Sequence, residues 1–175
     1  HGGGIAAIPT DSSYALVCHL DDKAAAENLR RIRGVDDKHH LTLLCRDLSE
    51  LASYARVDNR QYRLLKIGTP GPFTFILEAT KEVPRRLSHP SRRTIGLRVP
   101  DHAVTQALLE LFGQPLLATT LIAPGESEPM NDPHAIREHF ASTRADMDTA
   151  SRVITLLDPM GVWASSVIKA LSDAG

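Results

Sequence analysis

The side chains best placed to do chemistry in this sequence are arginines. Arg98 stands in Leu97-Arg98-Val99-Pro100, inside a segment of alternating apolar residues and just before a proline. A guanidinium there is costly to bury alone, so it needs an anion, either a ligand carboxylate or phosphate or an internal acid. The ligand is the favoured partner. Arg30, Arg31 and Arg33 end a helix-forming stretch. Cations at a helix C-terminus gain about 0.3–1 kcal/mol each from the dipole, so ligand binding and helix stabilisation explain these three equally well. Arg85-Arg86, after the strongest strand-forming run, and Arg92-Arg93, in a loop, add two basic pairs. A second polar group, Thr10-Asp11-Ser12-Ser13, follows the apolar run Ile5–Ile8 and Pro9. Proline has no N–H for a ladder, so a strand should stop there, with hydroxyls and a carboxylate at the sheet rim where α/β proteins bind ligands. A plain strand–turn–strand corner explains the same spacing, and on spacing alone is favoured.

Other chemistries find little support. His39 and His40 would point to opposite sides of a strand, and His134 and His139 are five residues apart, off the spacing of a helical zinc pair. No HExxH, P-loop, GxGxxG or GxSxG pattern occurs. Ser12, Ser13, Ser165 and Ser166 have no base partner identifiable from spacing. Neither a metal site nor covalent catalysis is expected.

The elements that must position the arginines alternate. Apolar runs predict strands at Ile5–Ile8, Tyr14–Cys18, Leu41–Cys45, Phe73–Leu77, Thr94–Val99, Leu116–Thr120 and Arg152–Leu157. Between them, Asp21 or Asp22 can cap a helix that Gly34 closes, Asp47 and Asp58 open two more, and Val83–Leu87 makes a helical turn. Helices are also expected over Val104–Phe112 and from Pro133 to about Phe140. Trp163, Val167, Ile168 and Leu171 repeat at helical spacing and predict a C-terminal helix. This pattern predicts an α/β architecture of one sheet with flanking helices. At 175 residues the chain reads as a single domain, 1–175, with an aliphatic core. It starts inside a glycine turn, which predicts a preceding N-terminal piece. A net charge of −1 provides no global field toward nucleic acid, so RNA contact would need a local patch. Cys18 and Cys45 lie alone on separate apolar runs and read as reduced core residues. No apolar run reaches bilayer length, and a cytoplasmic chain is expected.

Four motifs in order resemble the YrdC-like family of threonylcarbamoyl-AMP synthases. They are Pro9-Thr10-Asp11-Ser12-Ser13-Tyr14-Ala15-Leu16 for PT[DE]TxYGL, Arg31-Ile32-Arg33 for KxR, Pro70-Gly71-Pro72-Phe73-Thr74 for PGPxT, and Arg98-Val99-Pro100 for the RxP strand end. Leu43–Leu51, Glu82–Leu87 and Arg93–Gly96 are similar to the YciO branch of that family. The resemblance implies a YrdC-like twisted mixed sheet with flanking helices around a large concave pocket. It also implies condensation of L-threonine, bicarbonate and ATP into threonylcarbamoyl-AMP and pyrophosphate, with ATP as substrate and Mg²⁺ as the cation. The product serves tRNA threonylcarbamoyladenosine modification. By resemblance, Thr10 and Tyr14 line the threonine end and Arg98 takes the carboxylate, as a bidentate pair. Arg31, Arg33, Thr120 and Ser165 face the nucleotide.

This sequence departs from the pattern at several points. Arg31 replaces the KxR lysine, and arginine is no neutral swap for a point charge. Thr120-Leu121-Ile122 stands at the family's SxN, and Leu43-Leu44-Cys45 where the family strand often ends in histidine. After about residue 150 the sequence diverges. These departures leave an alternative: a nucleotide- or double-stranded-RNA-binding module without synthase activity, with Arg85, Arg86, Arg92 and Arg93 on the phosphate backbone.

Overall fold

A computed structural model describes residues 4–146 and 154–156. Among these residues seven strands form one mixed sheet: β1 (Ile5–Pro9), β2 (Tyr14–His19), β3 (Thr42–Leu44), β4 (Phe75–Glu78), β5 (Thr94–Arg98), β6 (Leu116–Thr120) and β7 (Ile154–Leu156). Their order is β4-β5-β3-β6-β2-β1-β7, with β3 parallel to β5 and β1 parallel to β7. The other neighbours are antiparallel. This is the mixed α/β sheet expected. Five helices of the described residues flank it: α1 (Lys23–Arg33), α2 (Leu48–Tyr54), α3 (Asn59–Gly68), α4 (Ala103–Phe112) and α5 (Pro133–Asp146). None is long and apolar enough to cross a membrane.

Local chemistry sets the helix ends. Asp22, Asp47 and Asp58 each accept the amide three residues on, and Asp58 and Gln61 complete a capping box. Gly34 closes α1 at φ 70°, a conformation a side chain would strain. Pro133 opens α5.

Side-chain alternation separates the two faces of the sheet. On one face Leu16, Cys18, Leu43, Ile95, Leu97 and Leu117 pack under α1, α2, α3 and α5, through residues such as Leu29, Leu51, Leu65 and Ile136. On the other, α4 places Leu108 and Leu109 over Ala6, Ile8, Val17, Leu116 and Ala118. That helix covers only β1, β2 and β6 with the near end of β3. The same face of β3, β5 and β4 carries Thr42, Gly96, Arg98 and Ile76, and Ile76 is largely exposed. The burial patterns agree: β1 is buried throughout, whereas β5 and β4 alternate. Among the described residues this half of the sheet is left uncovered, and it is where a ligand can reach the strands.

Three expectations shift. The strand foreseen at Phe73 begins at Phe75, because Gly71 N–H donates to Val99 O and draws the preceding turn out of the ladder. The turn at Val83–Leu87 is a 3-10 turn over Arg85–Leu87, and α5 continues past Phe140 to Asp146. The C-terminal helix expected around Trp163–Leu171 lies outside the described residues.

Candidate functional site

Arg98 ends β5 on the open face, and its surroundings are built by the turn after β1. Thr10 Oγ1 donates to Ser13 O (2.6 Å) and accepts from the amides of Ser12 (3.2 Å) and Ser13 (3.3 Å). The buried Thr105 hydroxyl of α4 donates to Pro9 O (2.6 Å), fixing the point where β1 hands over to that turn. Asp11 is thereby aimed at Arg98 and pairs with its Nη2, both side chains being about one-tenth exposed (11% and 12%). The second Asp11 oxygen accepts Asp101 N–H at 3.0 Å. Arg98 also donates to Ser12 Oγ (3.0 Å), Thr10 Oγ1 (3.4 Å) and Gly71 O (3.4 Å). The anion that Arg98 needs is therefore present within the chain. Its buried charge is neutralised locally, while its edge still faces a cavity.

That cavity has a volume of about 50 Å³ and is walled by Thr10, Ser12, Ser13, Thr42, Thr74 and Arg98. Through Thr42 and Thr74 it adjoins a larger one of about 220 Å³, lined by His40, Ile76, His89, Arg92, Thr94 and Gly96. Gly96 keeps the join open, since a Cβ there would stand 3.1 Å from both Thr42 Oγ1 and Thr74 Cγ2. The imidazole centroids of His40 and His89 lie 5.4 Å apart, with the ring planes tilted by 31°. His89 Nδ1 accepts the amides of Ser91 (3.2 Å) and Arg92 (3.1 Å), which assigns its proton to Nε2. The larger cavity thus combines two imidazoles, an apolar side chain and a cation, a mix suited to a ring bearing anionic groups.

The remaining sequence candidates fall in different places. Tyr14 borders the small cavity, but alternation along β2 puts its ring with Leu16 and Cys18 in the main core. Thr120 sits at the rim, where Arg33 Nε donates to its carbonyl (2.9 Å). Arg31 is exposed, and at 100° per residue it lies about 200° around α1 from Arg33. The helix instead pairs Arg33 with Arg30, whose Nε is buried without a hydrogen-bond partner among the described residues. Both cations, with burial the larger cause, hold His39 below its ordinary pKa; His39 Nε2 lies 3.2 Å from Thr119 Oγ1. Ser165 lies outside the described residues.

The basic pairs are split as well. Arg85 donates to Ser88 Oγ, His89 O and Pro90 O, and Arg86 to Leu20 O (2.9 Å), so both guanidiniums brace the chain. Arg92 lines the larger cavity, while Arg93 is exposed at φ 56°. Cys18 and Cys45 are free and buried; burial pushes the Cys18 thiol up to about 12 and raises Cys45 too, so neither supplies a thiolate.

Sequence reasoning did not bring out Asp11 as the partner of Arg98, or the His40–His89 wall. The histidines precede β3 and β5, and only the parallel pairing of those strands brings the two positions to the same end of the sheet.

Comparison with known proteins gives a consistent result. The Sua5/YciO/YrdC family model, described as "Telomere recombination", matches residues 1–157. The chain is 53% identical over 138 residues to the uncharacterized protein YciO of Escherichia coli, covering 79% of this chain and 67% of that one. It is 31% identical over 129 residues to human threonylcarbamoyl-AMP synthase, covering 74% of this chain and 46% of the enzyme. Among solved structures, E. coli YciO superposes with a TM-score of 0.77 at 47% identity, covering 88% of this chain and 70% of that one. Sua5 of P. abyssi complexed with L-threonine superposes with a TM-score of 0.72 at 23% identity, covering 88% and 43%, a likeness of fold.

Proposed function

Because the chain belongs to the Sua5/YciO/YrdC family, we propose that it forms threonylcarbamoyl-AMP from L-threonine, bicarbonate and ATP, releasing pyrophosphate, in the route to tRNA threonylcarbamoyladenosine. The observation that carries this reading is the pair of adjoining cavities on the open face. One is small, lined with hydroxyls and ended by Arg98; the other is larger and aromatic, and they join over Gly96. In this reading Arg98 takes the threonine carboxylate and the nucleotide lies along His40, His89 and Arg92. Resemblance adds Arg33, Arg31, Thr120 and Ser165 on the nucleotide side; of these Arg33 and Thr120 meet at the rim of the small cavity.

The chemistry needs little from protein acids or bases. A carbamate oxygen formed on the threonine nitrogen attacks the α-phosphorus of ATP, and the bond to pyrophosphate breaks. Two cavities that share a wall bring these atoms together, so positioning and fixed charge supply most of the rate. Among the described residues no group of three or more His, Cys, Asp or Glu could hold a metal ion. Mg²⁺ bound with ATP would need no such cluster, and would supply neutralisation of charge on the leaving pyrophosphate.

Incubation with ATP, L-threonine, bicarbonate and Mg²⁺ tests the proposal. Pyrophosphate should appear only when threonine is present, and Arg98→Ala should return it to background. Equal release with and without threonine contradicts the reading.

A further inference from the structure

Arginine has five N–H donors, and in Arg98 most are already engaged. Nε donates to Gly71 O, Nη2 to Asp11 Oδ1 and Thr10 Oγ1, and Nη1 to Ser12 Oγ, which leaves one N–H on Nη1. A carboxylate gripped by two parallel N–H groups must use Nη1 with Nη2, or Nε with one Nη. Each of those forks includes a group held by the protein. The bidentate grip implied by the family resemblance is therefore closed in this arrangement.

The four contacts are not equally easy to release. Asp11 is a nearly buried carboxylate that also holds Asp101 N–H, so parting it from Arg98 leaves two charges uncompensated. Thr10 Oγ1 organises its own turn, and Gly71 O is main chain. Ser12 is exposed, and among the described residues its hydroxyl otherwise contacts only Thr10 Oγ1, at 3.2 Å. From these contacts we infer that Ser12 is a self-ligand of Arg98. Its hydroxyl occupies the Nη1 position that an incoming carboxylate takes, and binding exchanges the serine oxygen for one carboxylate oxygen while the Asp11 pair stays intact. Ser12 thereby sets how tightly the pocket holds a carboxylate. The inference rests on the reading that this pocket takes L-threonine.

The sign of one substitution tests it. Ser12→Ala leaves Nη1 in water before the ligand arrives, so L-threonine should bind about three- to tenfold more tightly by calorimetry, the scale of one exposed charge-assisted hydrogen bond. Ser12→Thr restores the hydroxyl and should return the affinity toward that of the parent protein. L-threoninol, which lacks the carboxylate, should respond identically to the parent and to Ser12→Ala. Unchanged or weaker threonine binding by Ser12→Ala, with the parent protein binding normally, overturns the self-ligand role and leaves the function standing. A gain for threoninol equal to that for threonine overturns it as well. If neither the parent nor Ser12→Ala binds threonine, the functional reading falls and the self-ligand role falls with it.

Discussion

The two halves of the sheet use the same backbone for opposite ends. In β1, β2 and β6 nearly every residue is buried, because α1 lies on one face and α4 on the other. In β5 and β4 burial alternates, because the described residues cover only one face. Leu43, Ile95 and Leu97 face the helices; Thr42, Gly96 and Arg98 face an open cavity. A fully apolar strand stabilises the fold but offers a ligand nothing. An alternating strand keeps one row of side chains for packing and frees the next for recognition. The stable half also serves the open half, since Pro9 and the turn after it hold Asp11 and Ser12 against Arg98.

Substitutions should separate the halves. The largest effect is expected on activity: Arg98→Ala should remove threonine-dependent pyrophosphate release, while Leu16→Ala, assayed where it is still folded, should retain it. In stability the order reverses. Leu16 is fully buried, so Leu16→Ala should cost about 2–5 kcal/mol in urea unfolding. Thr42→Ala, on the open face, should cost under about 1 kcal/mol. Comparable losses at both positions would break the comparison.

Gly96→Ala sharpens it further. Its new methyl would crowd Thr42 and Thr74 at the join, so ATP affinity should fall several-fold, measured by fluorescent-nucleotide displacement, with a much smaller change in melting temperature. The smallest effect is a pH dependence on the helix-covered side. His39 is held below its ordinary pKa in the fold, so the unfolded chain binds the extra proton first. Stability should therefore decline as pH falls through the ordinary histidine value of about 6.5, and His39→Gln should flatten that part of the profile. A stability that instead increases on acidification through this range, and does so only with His39 present, contradicts the assignment.

What could be read beforehand follows from the range of each interaction. Caps at Asp47, Asp58 and Gly34 act within a few residues, so sequence spacing located them, and it narrowed the first cap to Asp21 or Asp22, of which the fold uses Asp22. Apolar runs located the buried strands. The start of β4 escaped because it depends on the Gly71–Val99 hydrogen bond, made across the sheet. Arg98 was recognisable as a charge needing an anion, but Asp11 lies 87 residues away and only the fold joins them. The weight given to Arg31 and Arg33 as a pair came from motif spacing. Helical geometry then separates them, sending Arg33 to the pocket rim and Arg31 to the exposed side.

The central claim is that the open half of the sheet is the ligand-binding half. Amide resonances of ¹⁵N-labelled protein, followed while L-threonine and then ATP are added, test it most directly. Shifts concentrated at Thr42, Thr74, Gly96 and Arg98, with Ala6, Val17 and Leu117 quiet, are the predicted result. Shifts absent from the open half, or confined to the strands buried on both faces, would contradict it.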